Sequence, residues 1–128
     1  MKSPWKNLQT MQPDRDYLVL ASSIPPRSRT STRDLFAGAG AVRKQLANTD
    51  GVIGFSLLAR PFQKQYATLS VWQDEAALDK FARSEPHAQL MGDLSPKMAP
   101  TTFARWYIHG TEGRPAWSDA LARLWGAS

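Results

Sequence analysis

His87 follows Pro86 in the segment Ser84-Glu-Pro-His87, and Arg105 sits in the aromatic stretch Phe103-Ala-Arg-Trp-Tyr107. These two side chains carry the best chemistry in a chain with two histidines and no cysteine. A neutral imidazole exchanges protons near neutrality and also ligates metals, so His87 is a candidate general base or metal ligand. The structural alternative is a histidine bonded to backbone where a helix breaks, the commoner role at such a place. Arg105, if enclosed, needs a counter-charge, because a lone buried guanidinium is costly. An ion pair across a dimer and an anionic group on a ligand both meet that need. Tyr66, Thr68, Ser70 and Trp72 recur at every second position, as do Phe103, Arg105 and Tyr107. Side chains two apart on a strand share a face, so each set lies together. They are candidate lining for a flat apolar molecule, although aromatics at this spacing more often serve a core or an interface. His109, beside Gly110, reads as a strand-end histidine bonded to its loop.

Much other chemistry is excluded. Without cysteine there are no disulfides, thiolate metal sites or cysteine nucleophiles. No glycine-rich phosphate loop, HExxH or GxSxG occurs. Asp74 and Glu75, adjacent at a helix start, read as a cap and a dipole partner rather than paired carboxylates. Sixteen Lys and Arg against eleven Asp and Glu give a net charge of +5, but the basic residues are scattered without a dense run. Scattered charge sets solubility, so no nucleic-acid partner is expected. Nor does any apolar run approach the roughly 18–20 residues of a membrane span. With no apolar leader at the N-terminus either, a cytoplasmic protein without membrane association is expected.

The elements that must position these residues follow from periodicity. Residues 1–15 hold Pro4, Pro13 and a solitary Trp5 among polar residues, and predict a mobile arm pinned by Trp5. Residues 16–128 form one domain of ordinary size. Within it, 16–22 is a strand apolar on both faces. Thr30, Ser31 or Thr32 caps a helix whose apolar positions Leu35, Ala39, Val42 and Leu46 recur at helical spacing. Gly38 and Gly40 weaken that helix unless close packing on the sheet requires them. Strands at 52–59 and 64–72 form a hairpin about residues 60–63. Asp74 caps a helix over 75–84, and Pro86 opens a short helical piece ending near Gly92. A strand at 101–109 and a C-terminal helix opening at Arg114-Pro115 complete the chain.

This order is βαββαβ, an α+β ferredoxin-like fold with an added C-terminal helix. With helices on one side of the sheet, the other side carries Thr68, Ser70, Trp72, Phe103, Arg105 and Tyr107, too apolar to stay wet and too polar for a dry core. A second copy packed sheet to sheet covers it, which predicts a symmetric homodimer.

The segments SVW (70–72), DEAALDKFAR (74–83), SEPH (84–87), FARWYIHG (103–110) and GRPAWSDALARL (113–124) resemble the dimeric α+β barrel superfamily. Within it the likeness is to a bacterial family of unknown function related to spheroidene monooxygenase and, more distantly, to antibiotic-biosynthesis monooxygenases. The resemblance implies a homodimer with a pocket between sheet and helices, and in some members oxygen chemistry on an apolar substrate or haem. Haem-degrading relatives use an Asn on the first strand and a Trp and a His on the second helix. Ser22, Phe81 and Met91 occupy those positions here, so haem degradation is not implied. Spheroidene monooxygenase uses haem, and His87 in SEPH matches its Pro-His motif, which implies His87 as a haem-iron ligand. The expected function is a monooxygenase-like protein acting on an apolar small molecule, with haem or with no cofactor. The alternative is a non-catalytic homodimer that binds or sequesters a small ligand.

Overall fold

The computed structural model describes residues 2–27, 29–63, 65–85, 87–99 and 101–126; the side chains of 29–37, 61, 90, 94 and 97 are outside the description. Strands β1 (Lys6–Asn7), β2 (Asp16–Ser23), β3 (Val52–Arg60), β4 (Gln65–Trp72) and β5 (Thr102–His109) form one sheet in the order β1-β3-β4-β2-β5. Every pairing is antiparallel. Helices α1 (Arg29–Ala47), α2 (Glu75–Arg83), α3 (His87–Leu94) and α4 (Trp117–Trp125) pack around it. Without β1 the order is that of the ferredoxin-like fold, and α4 is the C-terminal addition.

Local chemistry explains most boundaries. Asp74 caps α2 by accepting a 2.8 Å hydrogen bond from the Ala77 N–H, which satisfies an otherwise orphaned helix donor. Leu78 and Phe81 are the buried face of that helix. Gly51, at φ +87°, makes the turn into β3, a conformation that glycine adopts without a Cβ penalty. Helix α1 begins at Arg29, ahead of the three residues expected to cap it, Thr30, Ser31 and Thr32, whose side chains are outside the description. The C-terminal helix starts two residues beyond Pro115 and ends at Gly126, φ +84°.

Two expectations are corrected. The helices α1 to α3 cover the face carrying Leu18, Phe55 and Trp72, where these residues pack with Leu46, Leu78 and Phe81. The side with Thr68, Ser70 and Trp72 therefore meets this chain's own helices and not the sheet of a second copy. The opposite face, with Val19, Ala21, Ile53, Leu69, Val71 and Ile108, is covered by Ala120 and Leu124 of α4 and by Trp5 and Met11 of the arm. Alternation along β4 correctly groups its side chains, but both groups are apolar enough to bury, so polarity alone does not select the side for the helices. The second correction is at Gly40, which is exposed, with nothing within 4 Å of the place a Cβ would take. Packing does not require glycine there; Gly38 is buried.

Residues 1–15, read from composition as a mobile arm, supply β1, which pairs with β3 through Lys6–Phe55 and Asn7–Gly54. The Trp5 ring lies over Gly54, where an added Cβ would come within 2.6 Å of it. At Ser56 the arm and α4 converge: its hydroxyl donates to the Ser3 carbonyl at 2.8 Å and accepts from the Trp117 indole at 3.1 Å. The Trp125 indole donates to Ser23 Oγ at 3.0 Å, and Arg123 stacks 4.3 Å above the Trp106 ring. Trp117 and Trp125 are thus docking anchors of the chain's own tail. Among the described residues no helix is long and apolar enough to cross a membrane.

Candidate functional site

Three rows of side chains run across the helix-covered face. Val52, Trp72, Leu18 and Tyr107 form the first; Phe55, Ser70, Leu20 and Arg105 the second; Leu57, Thr68, Ser22 and Phe103 the third. A register shift between Val52 and Gly54 turns both Val52 and Phe55 to this side. Large side chains fill the first row, where Trp72 is 1 % exposed and packs against Phe81 at a ring separation of 5.2 Å. In the second and third rows Ser70, Ser22 and Thr68 are too small to reach the helices. A cavity of about 710 Å³ remains there, within the roughly 300–1,000 Å³ of small-molecule sites.

The cavity is mainly apolar, walled by Val42 and Leu46 of α1, Phe81 of α2 and Met91 of α3 opposite Leu20 and Leu57 of the sheet. Its hydroxyls are few. Ser70 Oγ accepts the Trp72 indole N–H at 2.8 Å and reaches the Leu20 carbonyl at 3.5 Å. His87 lines the cavity at the start of α3. Its backbone N–H donates to Gln45 Oε1 at 2.9 Å, and its ring stands 4.9 Å from that of Phe81. Nδ1 lies 3.1 Å from the Ala82 carbonyl. A carbonyl only accepts, so Nδ1 carries the proton in this contact and the neutral ring keeps its lone pair on Nε2. His87 thus bonds backbone at a helix break and also borders the cavity.

Arg105 also lines the cavity, and among the described residues it has no ion-pair or hydrogen-bond partner. Thr68, Ser70, Trp72 and Phe103 share the lining. Two expected members stand apart. Tyr66 is buried behind the cavity with Met98 and Ile24, one row too far along β4. Tyr107 is 60 % exposed at the end of the first row, on the terminal strand β5 with Leu18 between it and Trp72. Its phenol is held above its ordinary value, by partial desolvation and then by the Glu75 carboxylate, with Arg105 opposing. His109 bonds its loop as expected, Nδ1 meeting Thr111 Oγ1 at 2.9 Å, while its N–H donates to Glu112.

Sequence reasoning missed Arg27 and Arg43, both in the lining. Arg27 was hidden in a turn-forming run and Arg43 among solvated helix charges. A signal existed for Arg43, which is four residues after Ala39 and three before Leu46 and so borders the apolar stripe of α1. Ser22, Phe81 and Met91 also line the cavity.

Residues 35–126 match the family model described as Domain of unknown function (DUF3291). The chain belongs to this family. The DUF3291 chain has a ferredoxin-like α+β fold, which it shares with several solved structures. It is similar to protein SO0527 of Shewanella oneidensis, with 13 % identity and a TM-score of 0.65 over 82 % of this chain and 97 % of that one. It is similar also to SnoaB of Streptomyces nogalater, described as a cofactor-independent oxygenase: 12 % identity, TM-score 0.60, 71 % of this chain and 91 % of the other. An antibiotic biosynthesis monooxygenase matches with 15 % identity and a TM-score of 0.60 over 70 % of this chain and 95 % of its own. No curated protein matches the DUF3291 chain.

Proposed function

We propose that this protein is a monooxygenase-like enzyme that holds an apolar small molecule between the sheet and helices α1 to α3, with His87 as base and Arg105 as counter-charge. The observation that carries the reading is the meeting, in one largely apolar cavity, of an imidazole and a guanidinium that has no ion-pair partner among the described residues. Oxygenases among the proteins of the same fold support it. His87 Nε2 takes a proton from an acidic C–H or O–H of the substrate, and Arg105 stabilises the resulting anion. With a polycyclic phenol bearing an activated ring methylene, the exchange balances without an added reductant. The methylene becomes a carbonyl with one atom of dioxygen, and the other atom leaves as water with the two hydrogens.

Oxygen uptake with polycyclic phenols tests the proposal. Uptake should fall about 10²- to 10⁴-fold in His87→Gln, the range typical of a lost general base. Saturable binding without uptake would instead make the protein a sequestering module.

One observation favours a haem-bearing second reading: the Nδ1 contact to Ala82 is the arrangement that orients an imidazole for ligation through Nε2. Among the described residues no three metal-ligating side chains cluster, and His87 carries the imidazole in the cavity lining that would hold a haem iron. His87 would hold haem, as the resemblance to spheroidene monooxygenase implies, and haem would supply oxygen activation at iron. A Soret band on haem titration, lost in His87→Ala, is the expected sign; an unchanged band in that variant removes the assignment.

The assembly we propose is a homodimer seated on β5, the terminal strand of the sheet, where Phe103 is 63 % exposed beside Tyr107. Sedimentation at micromolar concentration should give twice the protomer mass, and Phe103→Glu should halve it.

A further inference from the structure

We propose that the cavity selects an amphipathic anion, an apolar body ending in one carboxylate- or phosphate-type head group bound by Arg43 and Arg105 with Arg27 beside them. This deepens the reading of the cavity as a ligand site and rests on it. Three separate elements, the segment after β2, helix α1 and strand β5, each deliver a guanidinium to one cavity. Among the described residues, no Asp or Glu lines it. Glu75 and Asp79 of α2 and Asp93 of α3 are exposed and absent from the lining.

Arg27, Arg43 and Arg105 are all exposed, so they stand at the mouth of the cavity, where like charges gathered beside an apolar wall focus a positive potential that favours a bound anion. The three arginines are not equivalent. Arg27 is tethered, its Nε donating to the Met98 carbonyl at 2.6 Å, which leaves its terminal nitrogens for another acceptor. Arg43 and Arg105 have no ion-pair partner among the described residues. A guanidinium presents a planar fork of donors that suits carboxylate or phosphate oxygens. The apolar walls then take the remainder of the molecule, and a ligand charged along its whole length finds no partners there. A neutral apolar ligand, in contrast, leaves Arg43 and Arg105 without a counter-charge among the described residues.

The test is displacement of a neutral fluorescent probe, N-phenyl-1-naphthylamine, from the full-length protein by four ligands with the same ten-carbon chain: decanoate, decyl phosphate, decanol and decylammonium. The expected result is that at least one anion displaces the probe at a concentration about tenfold lower than decanol, the advantage typical of a charge-assisted hydrogen bond. Decylammonium should be the weakest. The tighter of decanoate and decyl phosphate identifies the head group. Arg105→Gln and Arg43→Gln should each bring that anion toward decanol while leaving decanol unchanged, which also shows that the variants are folded. Equal displacement by decanol and both anions overturns anion selection and leaves the cavity as a ligand site. Failure of the probe and all four ligands to bind removes the ligand site, and the inference with it.

Discussion

Ser70 and Trp72 are two positions apart on one strand and have opposite effects, because one leaves space and the other fills it. Ser70 also holds the Trp72 indole. Ser70→Ala should cost about 1–3 kcal/mol, the penalty for leaving a buried donor unpaired, measured by urea denaturation against wild type. Ser70→Leu should instead occupy the cavity and abolish probe binding. Tyr107 ionises above the usual tyrosine range for the causes given above. Glu75→Gln removes the charge that helps raise it, so the ultraviolet titration of Tyr107, isolated by difference from Tyr107→Phe, should shift to lower pH. At this scale the sequence disclosed residue types and the faces they share. It placed His87 and Arg105 beside a pocket, and both line one. It could not separate Thr68 and Ser70 from Tyr66 one row away, because alternation says nothing about where along a strand the helices cross. Arg27 and Arg43 escaped for a related reason: the cavity walls they border come from distant parts of the chain, and only the spacing of Arg43 to Ala39 and Leu46 marked a rim charge.

Among the elements, α1 carries a glycine that its environment does not demand. Gly40→Ala adds a methyl group in open space and should stabilise the protein by about 1 kcal/mol, the helix-propensity difference, read as a raised denaturation midpoint. A decrease would mean that the methyl group meets something there. Ser56 has the opposite character, since one hydroxyl ties both the arm and α4 to the sheet. Ser56→Ala should cost about 1–3 kcal/mol by orphaning the Trp117 indole and the Ser3 carbonyl, and amide exchange should accelerate at Leu57, whose N–H is held by Ser3 Oγ. If exchange there is unchanged, the arm does not depend on this hydroxyl. The strands β2 to β5 and the helices were legible because hydrophobic period and capping residues are local signals. Strand β1 was not: two polar residues owe their pairing to the Trp5 ring on Gly54, a contact spanning about fifty positions that composition does not encode.

For the whole molecule, the sheet is an apolar layer with two covers of different kinds. On one side α4 and the arm close a dry core; on the other, α1 to α3 close over large side chains at one end and leave a chamber at the other. The topology was legible from element order, but the side taken by each cover was not, since β2 and β4 are apolar on both faces. The account predicts that a small ligand enters only the second side. Methyl-resolved NMR of the full-length protein titrated with decanoate measures this directly. Saturable shifts should appear at Leu20, Val42, Leu46 and Leu57 and be absent at Val19, Ile53, Val71 and Leu124. Shifts confined to that second group, or no saturable shift at either, would contradict it.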